Sequence, residues 1–287
     1  MRNLKMVKPM VGLAKQGVIN VENDDMKISV LASGSTGNVT YIETPQHKVL
    51  LDAGLSGKKI ANLMSSIGRD INDVDSLLVT HEHSDHRQSV GVLARKYDLN
   101  VYANEGTWDA MNGKIGKMPA DKMNIFPPDT VKSFGDLDIE SFSVSHDAAE
   151  PQFYVFHHNN KSFVVLTDTG YVSDRMEGVI KDAEGYLLEC NHDIEMLRNG
   201  DYSWPLKQRI MSDRGHLSNV DGANTMMDII GHRTKKIFLG HRSQHNNMKS
   251  LAHLTVSSML TEHDFGVDND FQLYDTEAES ASPLMII

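Results

Sequence analysis

Ser76-Leu77-Leu78-Val79 has the pattern of a buried strand, and it runs directly into Thr80-His81-Glu82-His83-Ser84-Asp85-His86. Within six residues, four side chains of the metal-ligating kind, His81, His83, Asp85 and His86, leave one strand end. Neutral imidazoles and a carboxylate are the donor set that Zn²⁺, Mn²⁺ or Fe²⁺ accepts. A rigid strand would splay such closely spaced residues to opposite faces, whereas a turn lets them converge. His81 and His83 can point to one cation, and Asp85 and His86, further round the turn, to a second. Any fold of this chain must therefore end a strand in a polar loop with room for metal.

Around this loop the pattern alternates. Strands are expected at 27–31, 39–43, 48–51, 76–79 and 101–103, with helical periodicity at 57–67 and 88–97. Strands then recur at 123–126, 131–134, 137–144, 152–158 and 161–166 with little helix between them. Helical patterns return at 173–180, 204–212, 218–231 and 248–262, interleaved with strands at 185–189 and 236–239. Two β-rich halves, each followed by helices, predict an α/β protein with two mixed β-sheets packed inside and helices outside, an αββα four-layer sandwich. No linker, low-complexity tract or fixed repeat divides the 287 residues, so a single domain is expected over 26–270. Residues 1–25 read as an irregular extension, with Met26 as the functional start. Residues 271–287, acidic and then Pro-Leu-Met-Ile-Ile, read as a frayed tail.

Composition removes several classes. One cysteine, Cys190, cannot form an internal disulfide, no apolar run approaches a membrane span, and no export signal is visible, so a cytoplasmic protein without a membrane partner is expected. Twenty-eight Lys and Arg against 39 Asp and Glu give a net charge of −11, which counts against a general nucleic-acid coat protein. Between Pro205 and Lys249, however, eight Lys or Arg face three Asp, a local excess of five positive charges. That segment reads either as a solvated helix face or as a surface for a polyanion.

The pattern His-x-His-x-Asp-His after a strand resembles the signature of the metallo-β-lactamase superfamily, and the resemblance continues through nearly the whole chain from Met26. The superfamily's early aspartate is similar to Asp52 in Leu50-Leu51-Asp52-Ala53-Gly54, its third site histidine to His146, its bridging aspartate to Asp168 in Leu166-Thr167-Asp168-Thr169-Gly170, and its last site histidine to His241. Within the superfamily the chain resembles the YycJ/WalJ (VicX) group at Ala32-Ser33-Gly34-Ser35-Thr36-Gly37-Asn38, Glu189-Cys190-Asn191-His192-Asp193, Gly215-His216-Leu217-Ser218-Asn219 and His241-Arg242-Ser243 followed by Asn246-Asn247. The resemblance implies two divalent cations, Zn²⁺, Mn²⁺ or Fe²⁺. One would be held by His81, His83 and His146, the other by Asp85, His86 and His241, with Asp168 bridging. Two cations about 3.5–4 Å apart can share a hydroxide whose parent water is acidified toward a pKa of about 7. Asp52 would orient the histidine loop by hydrogen bonds.

His216 resembles the histidine that assists the departing oxygen in the tRNA 3′-processing nucleases of the superfamily, and a poor ribose leaving group needs such a proton donor. Asp85 is a candidate both as ligand and as the group that steers the nucleophile. Ser35 and Asn38 on the Gly-rich turn, His192 after a strand, and Lys207, Arg209 and Arg242 in the basic segment are candidate substrate contacts. The expected function is a dinuclear-metal hydrolase, a phosphodiesterase and DNA exonuclease with 5′→3′ polarity implied by the resemblance. Two alternatives stay open: a small-molecule thioesterase or lactonase that dispenses with His216, and an accessory protein of a cell-wall two-component signalling pathway whose metal site is structural.

Overall fold

The computed structural model describes residues 24–287. The first sheet has seven strands, six of which follow one another in chain order: β1 (Lys27–Ala32), β2 (Val39–Glu43), β3 (Lys48–Leu51), β4 (Ser76–Leu78), β5 (Asn100–Ala103) and β6 (Met123–Ile125), with the seventh supplied by the last residues. The second sheet repeats the device with β7 (Val131–Phe134), β8 (Leu137–Ser143), β9 (Gln152–His158), β10 (Lys161–Leu166), β11 (Gly185–Glu189), β12 (Lys236–Gly240) and β13 (Gln272–Asp275). In each sheet the early strands pair antiparallel and the later ones parallel, so both are mixed.

Side-chain alternation sets the layers. In the first sheet Ile28, Val30, Ile42, Val49, Leu51 and Leu78 enter the core between the sheets, where they meet Phe153, Phe163, Leu187 and Phe238 of the second. Their neighbours Leu31, Tyr41, Leu50 and Leu77 point the other way, onto α1 (Gly57–Ser66), α3 (Val90–Tyr97) and α4 (Glu105–Met111) through Ile60, Leu63, Met64, Leu93 and Trp108. Strands buried on both faces require helices on the outside, because either face left bare would expose a sheet of Val, Ile and Leu. On the far side α5 (Asp174–Ile180), α8 (Asn219–Ile229) and α9 (Lys249–Glu262) cover the second sheet with Met176, Met226, Ile229, Val256 and Leu260. The αββα sandwich expected from the strand pattern is the fold observed. No helix among the described residues is long and apolar enough to cross a membrane.

The helical stretch expected at 88–97 is α3, with the short α2 (Ser84–Arg87) just before it in the histidine loop, and the short α6 (Ile194–Asn199) and α7 (Trp204–Ile210) precede α8. The expected 1–25 extension lies, through residue 23, outside the described residues. The expected frayed tail is a correction. Residues 272–275 are β13, pairing parallel with β12, and β14 (Met285–Ile286) pairs antiparallel with β1. Ser282 N donates to Val30 O, Ile287 N to Met26 O at 2.9 Å, and the Ile287 side chain is buried. The chain end thus covers the open edge of β1, which an acidic, Pro-containing sequence did not suggest.

At the start of the β2–β3 hairpin, buried Glu43 accepts hydrogen bonds from Tyr41 Oη at 2.8 Å and from both Nε and Nη2 of Arg69. Burial would push its carboxyl up, but Arg69 and Tyr41 hold it below the ordinary glutamate range. A lowered folded-state pKa contributes stability that is full above the unfolded value of about 4.3 and is lost as pH falls through the folded value. In urea titrations the stability gap between wild type and Glu43→Gln is therefore expected to be widest near neutral pH and to close in acid; a gap indifferent to pH would remove the charge from the account. Ending the chain at Pro283 is expected to destabilise by about 2 kcal/mol, the transfer value of one large aliphatic side chain. Thermal melting of that variant checks this, and an unchanged transition would show that β14 contributes nothing.

Candidate metal centre

The chemistry-bearing residues lie past the C-terminal ends of β3, β4, β8, β10, β11 and β12, all on one edge of the sandwich. Three of them turn sharply off their strands: Asp52, Asp168 and His241 have φ of 62°, 52° and 50°. The left-handed region is sparsely occupied by residues carrying a Cβ, and these three hold it where a buried strand delivers a side chain to the site, over-determined by their surroundings. The histidine loop itself is pinned by Asn38 N donating to Asp85 O at 2.8 Å and Ala53 N to His86 O at 2.7 Å. That approach leaves no room at Gly54, where a Cβ would fall 1.6 Å from Asp85 O.

Two groups of ligand-type atoms form. In the first, His83 Nδ1 faces His81 Nε2 at 3.1 Å and His146 Nε2 at 3.3 Å, and the ligand atoms of all three lie within 4.8 Å of one another. His146 Nδ1 donates to Gly215 O at 3.1 Å, so Nε2 is the nitrogen that remains. In the second, Asp85 Oδ2 lies 3.5 Å from His86 Nε2 and 3.6 Å from His241 Nε2. Asp168 stands between the groups, Oδ2 3.2 Å from His86 Nε2 and Oδ1 3.8 Å from His146 Nε2.

The outer contacts select these inner atoms. Asp52 Oδ2 accepts from His86 Nδ1 at 2.8 Å while Oδ1 accepts from Thr80 N at 2.9 Å, tying the loop to β3. Glu189, fully buried at the end of β11, accepts at Oε1 from both His241 Nδ1 and His216 Nδ1, each at 2.8 Å, and at Oε2 from Thr169 N and Leu217 N. These bonds also account for the closeness of Asp168, Glu189, His216 and His241: the nitrogens involved already donate to a carboxylate. His241 Nε2 is left buried with no hydrogen-bond partner, an arrangement that a cation would resolve.

Charge points the same way. Burial alone would lower His86 and His241, but Asp52, Asp168 and Asp85 raise His86 well above its usual value, and Asp168, Asp85 and Glu189 raise His241 to about 10. Glu189, which burial would raise, is pulled down to about 2 by the two histidines. A pocket this negative, lined by imidazoles with one nitrogen fixed outward, has the donor set and the charge that fit divalent metal.

Of the remaining expected residues, some gather here. His216, with 14% of its side chain exposed, has its ring 5.1 Å from that of His146 and 5.2 Å from that of His241. Asn38 closes the turn at Gly34 and brings its amide 3.0 Å from His86 Nε2, whereas Ser35 sits exposed at the tip of that turn. His192 is buried, with Nδ1 lacking a partner and burial lowering the imidazole to about 4. Arg209 lies at the rim, 3.1 Å from Asp147, which neighbours His146.

Two candidate contacts are corrected. Lys207 is 8% exposed and donates to Arg198 O and Gly200 O, satisfying carbonyls at the end of α6 rather than facing outward. Arg242 donates to Leu239 O and Thr276 O, joining β12 to the chain leaving β13. Glu189 escaped the sequence reading, although an acidic residue ending an otherwise apolar strand was the signal. Glu189→Gln is expected to loosen metal about 10- to 100-fold, because two histidines lose their shared anionic acceptor. Competition with a chromogenic chelator measures this, and undiminished retention would sink the assignment.

A family description, Beta-lactamase superfamily domain, matches residues 47–241. The chain is 58% identical over 260 residues to the exodeoxyribonuclease WalJ of Streptococcus pneumoniae, covering 90% of this chain and 97% of that protein. It is 54% identical over 262 residues to the exodeoxyribonuclease YycJ of Bacillus anthracis, covering 91% and 99%. Among solved structures, the metallo-β-lactamase fold protein YhfI of Bacillus subtilis superposes with a TM-score of 0.68 at 14% identity, over 90% of this chain and all of that one, a likeness of fold. With the match over most of its length and its relatives covered nearly end to end, the chain belongs to the metallo-β-lactamase superfamily, alongside the WalJ and YycJ proteins.

Proposed function

We propose that the protein is a dinuclear-metal phosphodiesterase that removes nucleotides from DNA ends, with 5′→3′ polarity, in the cytoplasm. The observation that carries the phosphodiester reading is the hydrogen bond from His216 to Glu189. It holds a histidine that is not needed as a ligand beside both ligand groups, and a carbonyl hydrolase has no use for it. The two curated relatives named as exodeoxyribonucleases support DNA as the substrate. The lone, buried Cys190 supports a reducing compartment.

On this reading His81, His83 and His146 hold one cation, Asp85, His86 and His241 the other, and Asp168 both, with Zn²⁺, Mn²⁺ or Fe²⁺ as the candidates. Two such cations supply an acidified water and neutralise charge on a phosphodiester. Asp85 has a second task, orienting the attacking water. His216 does the part that metal leaves undone. With Nδ1–H given to Glu189, Nε2 is the nitrogen free to pass a proton to the departing 3′-oxygen. Asn38 and His192 are assigned to the walls of the site, Arg209 to its rim. Partners in a two-component pathway, if bound, would use other surfaces.

The test is digestion of end-labelled single-stranded and duplex DNA with Mn²⁺ or Zn²⁺, beside His216→Ala and Asp85→Ala. Stepwise shortening by wild type is expected, falling by about 100-fold or more in His216→Ala with bound metal retained, the range of a general acid. Asp85→Ala is expected to lose both metal and activity. No cleavage by fully metallated protein would withdraw the reading and turn the search to thioesters and lactones.

A further inference from the structure

Two large side chains exposed among the described residues are aromatic, Tyr171 at 46% and Trp204 at 59%. Tyr171 stands three residues past Asp168 on the loop leaving β10, and its backbone is held from both sides. Gly170 N donates to Ser145 O at 2.9 Å, next to His146. A Cβ on Gly170 would lie 2.2 to 2.4 Å from backbone atoms of Asp213 and Ser212, so the loop is pressed against the turn that leads to His216. Thr169 Oγ1 donates to Tyr171 O at 2.8 Å. An aromatic residue half open to solvent thus stands on a firmly anchored loop, three residues from Asp168.

The turn on which this loop packs carries a cation. Arg214, exposed and two residues before His216, reaches His146 O with Nη2 at 3.4 Å, and among the described residues no carboxylate pairs with it. An exposed aromatic ring and an unneutralised guanidinium, carried on two segments that pack together, suit a ligand with both a ring and an anion. A nucleotide has that chemistry, and a lactone does not.

We propose that Tyr171 is the platform on which the terminal nucleobase of a single-stranded end stacks, with Arg214 meeting the adjoining phosphate. The proposal rests on the exonuclease reading and adds a base subsite to it. Every base offers a π-face, so such a platform grips ends of any sequence. Tyr171 acts by positioning the strand, not in the chemistry.

The test uses metallated full-length protein and single-stranded substrates whose terminal nucleotide is either normal or abasic. Base–aromatic stacking leads to an expected loss of about tenfold in kcat/KM for wild type on the abasic end. Tyr171→Ala is expected to digest the normal end about tenfold more slowly and to be indifferent to the missing base. Tyr171→Phe and Trp204→Ala should discriminate as wild type does, and Arg214→Gln should slow both ends by the same factor. A Tyr171→Ala variant that still discriminates, or a wild type that does not, overturns the platform while leaving the exonuclease intact. A wild type that digests neither substrate withdraws the exonuclease reading and the platform with it.

Discussion

Three carboxylates, Asp52, Asp168 and Glu189, are buried along one edge of this molecule, and much of the site follows from how their charge is met. A buried anion left alone is strongly unfavourable, so each must find cationic or N–H partners. Asp52 takes His86 and the Thr80 backbone, and Glu189 takes His216, His241 and two backbone amides. Every histidine so engaged has one nitrogen fixed outward and the other aimed at the shared space. The carboxylates therefore do more than balance charge: they set the tautomer and ring direction on which any ligand geometry depends.

The two sheets contribute to the site unequally but jointly. Asp52 and the histidine loop come from the first sheet, and His146, Asp168, Glu189 and His241 from the second. The edge of the sandwich is therefore both a packing seam and a chemical one, and the phenylalanine-rich core beneath it sets how closely the two sheets bring together the residues that each ligand group draws from both. Backbone strain at Asp52, Asp168 and His241 is tolerable because each residue ends a buried strand whose hydrogen bonds are satisfied before the chain turns.

Much of this was legible in the sequence because double-sided burial writes itself as short runs of Val, Ile and Leu, and because ligand residues stand where those runs stop. The histidine loop, His146, Asp168 and His241 could be placed that way. Other features depend on partners far along the chain. β14 is two residues long and exists because the edge of β1, more than 250 residues away, is open to it. Lys207 sits in a basic segment and reads as a surface charge, yet the approach of the α6 carbonyls buries its amine. Asn191, Asn219 and Asn247 lie in the motifs that carry the family resemblance, without a site role assigned to them. They form a buried amide network instead, in which Asn247 donates to Cys190 O and Asn191 O, welding the loops after β11 and β12.

The path of the chain through the sandwich has a temporal side. Six of the first sheet's seven strands, with the histidine loop, are laid down in sequence by residue 125, but His241 follows the twelfth strand and the cover of β1 is the fourteenth. On the ribosome a nascent chain would therefore carry an incomplete ligand set until His241 emerges, and a bare β1 edge until β14 does. A chain stopped before residue 241 would lack His241, the last member of the second ligand group, while already carrying Asp85 and His86. The order of strands thus makes the second grip on metal a late event, one that waits until the second sheet has been threaded as far as β12.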